Sequence, residues 1–218
     1  MIGKLFYDIL AYSFLLLPLF YLIGKGKKDL IPIVLMIYGT LFFFLLYFYF
    51  DIPKNYRLLQ QVFYTTYEYL TFAIIILLNT KKNKRIIVTS SFAFILFQVF
   101  YLLSGSKQSI DSVPIGIETI LIFTFALLYF VEFFNSEKNE PLGPPFYLTV
   151  AILLYLGPNL FFNLLANQLS VEQANKYWHF TYIPEIIKNI IFAVSILFIN
   201  SKNKIKNQEI AMPPGFLD

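Results

Sequence analysis

Residues 181–199 read TYIPEIIKNIIFAVSILFI. The run is long enough to cross a bilayer as one helix. Inside it stands Lys188, three residues after Glu185. A lysine and a carboxylate at membrane depth are costly, so they mark a site or a specific helix contact. Six more apolar stretches of similar length precede this one. Read against the loop residues, they predict helices over about 5–23, 30–50, 58–78, 86–103, 114–134, 146–165 and 181–199. The fold class expected is all-α, a polytopic membrane protein built as a seven-transmembrane-helix bundle over residues 1–200. A flexible cytoplasmic tail is expected over 201–218. The connections are short, so sequential helices should be antiparallel neighbours.

Composition agrees. Hydrophobic residues make up 58% of the chain and charged residues 14%, against about 45–50% and about 25% in a soluble domain. The chain has no cysteine and a single histidine, His179. Disulfides, thiolate metal sites and multi-histidine centres are thereby excluded. No phosphate-binding loop, HExxH or GxSxG occurs, and no cofactor is implied. The net charge of +4 does not point to nucleic acid, because the basic residues form short clusters flanking apolar spans.

Those clusters set the orientation. Lys25, Lys27, Lys28, Lys81, Lys82, Lys84, Arg85, Lys138, Lys202, Lys204 and Lys206 fall on one side, and Lys4, Lys54, Arg57, Lys107 and Lys176 on the other. The richer side reads as cytoplasmic. The N-terminus is then outside and the C-terminus cytoplasmic, in a bacterial inner membrane. The first apolar core is followed at once by Gly24-Lys25-Gly26-Lys27-Lys28 with no small-residue cleavage site, so it reads as a retained helix. Lys188 is the one basic residue that no loop accounts for.

The polar residues inside the spans form a pattern. At about 1.5 Å per residue, Glu185 and Glu118 lie about 6 Å deep, Lys188 about 10 Å and Glu68 about 15 Å. Gln98, Asn159 and Asn163 fall in the same outer half. Residues three, four and seven apart share a helix face. Glu185, Lys188 and Asn189 therefore make one stripe, Gln61, Thr65 and Glu68 another, and Asn159 and Asn163 a third. Lipid cannot solvate such stripes, so they turn inward. One polar pocket is expected, open or openable to the outside and lined by the third, fifth, sixth and seventh helices. Three glutamates and one lysine do not balance. The excess has to be met by a proton or by a bound cation. A plainer reading stands beside this, in which Lys188 forms an inert ion pair that fixes helix register. Tyr56, Tyr64, Tyr67, Tyr69, Trp178 and His179 read as an aromatic belt at the outer interface. Glu132 reads as interfacial and solvated, and Ser90 and Ser91 as helix-packing residues.

Four segments carry a resemblance: Phe63-Tyr64-Thr65-Thr66-Tyr67-Glu68-Tyr69, Gly116-Ile117-Glu118-Thr119, Tyr155-Leu156-Gly157-Pro158-Asn159-Leu160-Phe161 and Ile187-Lys188-Asn189-Ile190. From the third span onward the chain resembles an uncharacterised family of small seven-helix membrane proteins of the Bacteroidota. Proteins of this kind often sit beside sensor kinases, which implies membrane sensing or signalling. The topology also resembles that of the retinal-binding rhodopsins. However, the helix 7 carboxylate is three residues before the lysine rather than four, and the tryptophans that sandwich retinal are missing.

The function expected is an integral membrane sensory or ligand-binding module. Its partners would be the lipid bilayer, a small polar or cationic ligand in the outer pocket, and a membrane or cytoplasmic signalling protein. A small proton- or cation-coupled transporter with Glu68 as carrier is the alternative, and a structural or assembly subunit is another.

Overall fold

Hydrocarbon offers no water to backbone N–H and C=O groups, so an apolar run of spanning length must bond to itself as a helix. The computed structural model describes residues 2–24, 29–48, 53, 56–103, 112–136, 142–166 and 178–211. Among them there is no strand. The helices are α1 (Ile2–Ile23), α2 (Leu30–Tyr47), α3 (Arg57–Asn79), α4 (Lys84–Leu103), α5 (Ser112–Phe134), α6 (Pro144–Ala166) and α7 (Tyr182–Ala211), with a 3₁₀ turn over Trp178–Thr181 leading into α7. All seven are long and apolar enough to cross a membrane.

Most bounds fall within two residues of the sequence reading. α2 ends at Tyr47 rather than near 50. The larger difference is α7, which continues to Ala211 where a flexible tail was expected. Residues 201–211 contain no glycine or proline and are rich in helix-forming Lys, Gln, Glu and Ile. A spanning helix has already met the cost of nucleation, so adding such residues costs little. α6 runs through Pro158 to Ala166.

Side-chain contacts give the relative directions. Tyr7 near the start of α1 donates to the Leu46 carbonyl at the end of α2. Gln60 at the start of α3 donates to the Leu45 carbonyl. Phe162 late in α6 meets Trp178 ahead of α7. The Phe6–His179 and Tyr7–Tyr182 ring pairs bring together the starts of α1 and α7. Neighbours in sequence are thus antiparallel at these joints, and α1, α3 and α7 begin at one shared end.

The helices close a ring in which α1 touches α2 and α7, and α7 touches α6. α3 touches α2, α4, α5 and α6, so it is the inner helix. Phe14, Tyr38, Phe42, Phe72 and Phe192 form a fully buried aromatic layer within the core. One approach is unusually close. Pro18 has no N–H, so the Phe14 carbonyl loses its intrahelical partner. Gly39 of α2 lies against that carbonyl: a Cβ there would stand 2.5 Å from the Phe14 oxygen and 2.8 Å from Leu17 Cβ. Only a residue without a side chain fits.

Candidate functional site

α7 carries Glu185, Lys188 and Asn189 on one face, and all three are buried. Lys188 is 0% exposed. Its ammonium has three N–H donors, and three acceptors surround it. Tyr38 Oη is 2.7 Å from Nζ, Glu68 Oε1 3.4 Å and Glu185 Oε1 3.7 Å. Tyr38 in turn donates to Glu68 Oε1 at 3.0 Å. Tyr155 of α6 donates to Glu68 Oε2 at 2.9 Å. Tyr64, one turn before Glu68 on α3, donates to Glu185 Oε1 at 3.1 Å. Nζ also lies 3.9 Å from the Tyr155 ring centroid and 5.1 Å from that of Tyr38, where a ring face attracts a cation. Asn189, next to Lys188 and one turn after Glu185 on the same face, donates to Ser13 of α1 at 2.8 Å.

Five helices therefore meet around one lysine: α2, α3, α6 and α7 directly and α1 through Asn189. The inner position of α3 makes this possible, because it brings Glu68 within reach of both α2 and α6. Lys188 balances one carboxylate, so the centre is neutral only when one further proton is shared between Glu68 and Glu185. Both oxygens of Glu68 are held by hydroxyl donors. Among the described residues, no group of three or more His, Asp or Glu is placed to hold a metal ion.

The structure brings Glu68, Glu185 and Lys188 together, with Asn189 beside them. The remaining candidates do not join them. Glu118 is buried on α5, within electrostatic range of Glu68 and Lys188, but its Oε1 accepts no hydrogen bond. Gln98 is buried on α4 with neither amide atom partnered. Asn159 Oδ1 on α6 is likewise unpartnered. Thr65 is buried and takes no part in the hydrogen bonds of the cluster. The side chains of Gln61 and Asn163 lie outside the described residues.

Of the two forms expected for the pocket, open or openable to the outside, the described residues show no open one at this centre. The charged centre is packed shut, with tyrosine and phenylalanine rings filling the space around it. The cleft that the structure describes lies elsewhere, at the shared end of α1, the end of α2 and the entry to α7. It has a volume of about 740 Å³ and is lined by none of the candidate residues. Comparison with family models, curated proteins and solved structures returns no match. The geometry has to carry the functional reading by itself.

Sequence reading missed Tyr38, Tyr155 and Ser13, and it assigned Tyr64 to an interfacial belt. A signal was present for two of them. Tyr38 and Tyr155 fall in the middle of their helices, where an interfacial belt has no place. Tyr69 is also no belt residue; it is fully buried and donates to Ser91 at 2.9 Å. Glu132 is half-buried rather than simply solvated. Its Oε1 accepts the backbone N–H of Lys81 at 2.5 Å and of Lys82 at 3.0 Å, which docks the start of the α3–α4 connection onto α5.

Proposed function

We propose that the chain is a sensory or ligand-binding module of a bacterial inner membrane, with the Lys188 centre as its responsive element. The observation that carries this is a fully buried lysine shared between carboxylates from two helices, Glu68 of α3 and Glu185 of α7. Such a centre has two arrangements close in energy, with Lys188 on one carboxylate or on the other, and a proton on the one left over. Any event that favours one arrangement shifts α7 against α3. A two-state element of this kind is what a signal needs.

Lys and Arg placement puts the shared end of α1, α3 and α7 outside and the C-terminal end of α7 in the cytoplasm. α7 has 30 residues, about 45 Å of helix, against about 30 Å of hydrocarbon. Its last turns therefore leave the bilayer on the cytoplasmic side, where a signalling partner can read them. The resemblance to the Bacteroidota family agrees with this reading.

Thermal-shift measurements on purified protein test it. A change of pH or ligand should move the Tm of wild type differently from that of Glu68→Gln and Lys188→Met. Identical shifts in all three would end the proposal. A proton- or cation-coupled transporter is the second reading, favoured by Glu68 in the middle of α3. Against it, the core beyond Lys188 carries no buried charge among the described residues and is mostly apolar, with Phe72, Ile75, Ile76, Phe192 and Ile196 fully buried beside the hydroxyls of Thr149 and Ser195. Uptake into proteoliposomes driven by a pH gradient would favour transport. A structural subunit needs no response at all, and equal shifts in all three proteins would leave that reading standing.

A further inference from the structure

We infer that the cleft at the start of α1 holds the zwitterionic headgroup of an amphiphile, an ammonium and a phosphate on one lipid, as in an ethanolamine phospholipid. The charges come first. Lys4 and Asp8 both line the cleft, one helical turn apart on α1, which sets them about 5–6 Å apart at Cβ. Neither Lys4 nor Asp8 closes an ion pair within 4.0 Å among those the structure describes, so both charges remain open to a ligand. A simple cation would meet Lys4 and a simple anion would meet Asp8. A molecule bearing both charges a few ångströms apart satisfies both.

The walls argue for the ammonium and for its depth. Tyr7, Tyr12, Tyr47, Trp178 and Tyr182 line the same space. Aromatic faces attract a desolvated ammonium, and such rings gather where a bilayer meets water. Tyr12 and Tyr47 are 64% and 63% exposed, and the apolar surface continues past them along Ile9 and Phe44. The cleft therefore opens onto the flank of the bundle, where acyl chains run. A volume of about 740 Å³ suits a headgroup and the first carbons beyond it.

The occupant follows from the cleft alone. Only its link to Lys188 rests on the function proposed above. That link runs through Tyr182, which lines the cleft one turn before Glu185 on α7.

Native mass spectrometry of the full chain, released from nanodiscs of equal ethanolamine and glycerol phospholipid, tests the inference. Wild type should retain the ethanolamine lipid about ten-fold over the glycerol lipid, and Asp8→Asn should lose most of that preference. Asp8 sits partly exposed at the cleft, so the variant should fold, and its Tm checks this. Equal retention of both lipids, or an unchanged preference in Asp8→Asn, overturns the inference. Binding of O-phosphoethanolamine as tight as that of the lipid, compared at equal concentration, would assign the cleft to a soluble zwitterion and overturn the lipid source. Glu185→Gln separates the two proposals, because it should keep the lipid preference while altering the pH response.

Discussion

Lys188 tolerates the bundle interior because its ammonium donates to Tyr38 and Glu68 and is ion-paired with Glu185 as well. The tyrosines do much of this. Tyr38 accepts from Lys188 and donates to Glu68, so its hydroxyl links the two charges instead of merely filling space. Tyr155→Phe should leave Glu68 Oε2 without its donor and lower stability by about 1–3 kcal/mol, read by thermal or denaturant unfolding in detergent. No change would mean that water already serves that oxygen. Tyr38→Phe should cost more, since it removes an acceptor and a donor together. At this scale the charged residues were legible in the sequence, because a lysine and three glutamates in apolar runs admit few explanations. The tyrosines near span ends were not. A tyrosine near a span end serves equally as an interface anchor or as a core donor, and Tyr64 shows that position along the helix does not choose between them.

Among the helices, α1 and α2 are held closest, where Gly39 meets the carbonyl freed by Pro18. Gly39→Ala should force the pair apart and cost about 1–3 kcal/mol, seen as a lowered Tm; a neutral result would contradict the close approach. α4 offers the opposite case. Gln98 is buried with both amide atoms unpartnered, so Gln98→Leu should raise stability by up to about 1–3 kcal/mol. A fall of that size would instead reveal a bound water or ligand at the amide. Helix number and most helix ends were legible, because apolar length against bilayer thickness leaves little freedom. The extension of α7 was not, because a polar segment of good helix formers carries no apolar signal to separate it from a tail.

Across the whole molecule, the sequence supplied stripes of polar residues but not the helices they face. That depends on α3 lying inside the ring, which no single stripe reveals, and so Glu118 and Gln98 were grouped with residues they do not bond. Orientation is directly testable, because the chain has no cysteine and any introduced thiol is unique. Lys54→Cys should react with a membrane-impermeant maleimide in intact cells, and Lys82→Cys only after lysis; the reverse pattern would invert the assigned topology. The centre itself is tested most directly by a double-mutant cycle of Lys188→Met and Glu68→Gln, read by unfolding free energy. Lys188→Met leaves two buried carboxylates without their cation and should cost about 3–5 kcal/mol, whereas Glu68→Gln leaves Lys188 paired with Glu185 and should cost less. The double variant should recover part of that loss, with a coupling of about 1–3 kcal/mol. Strictly additive losses would show that the two residues do not share one centre.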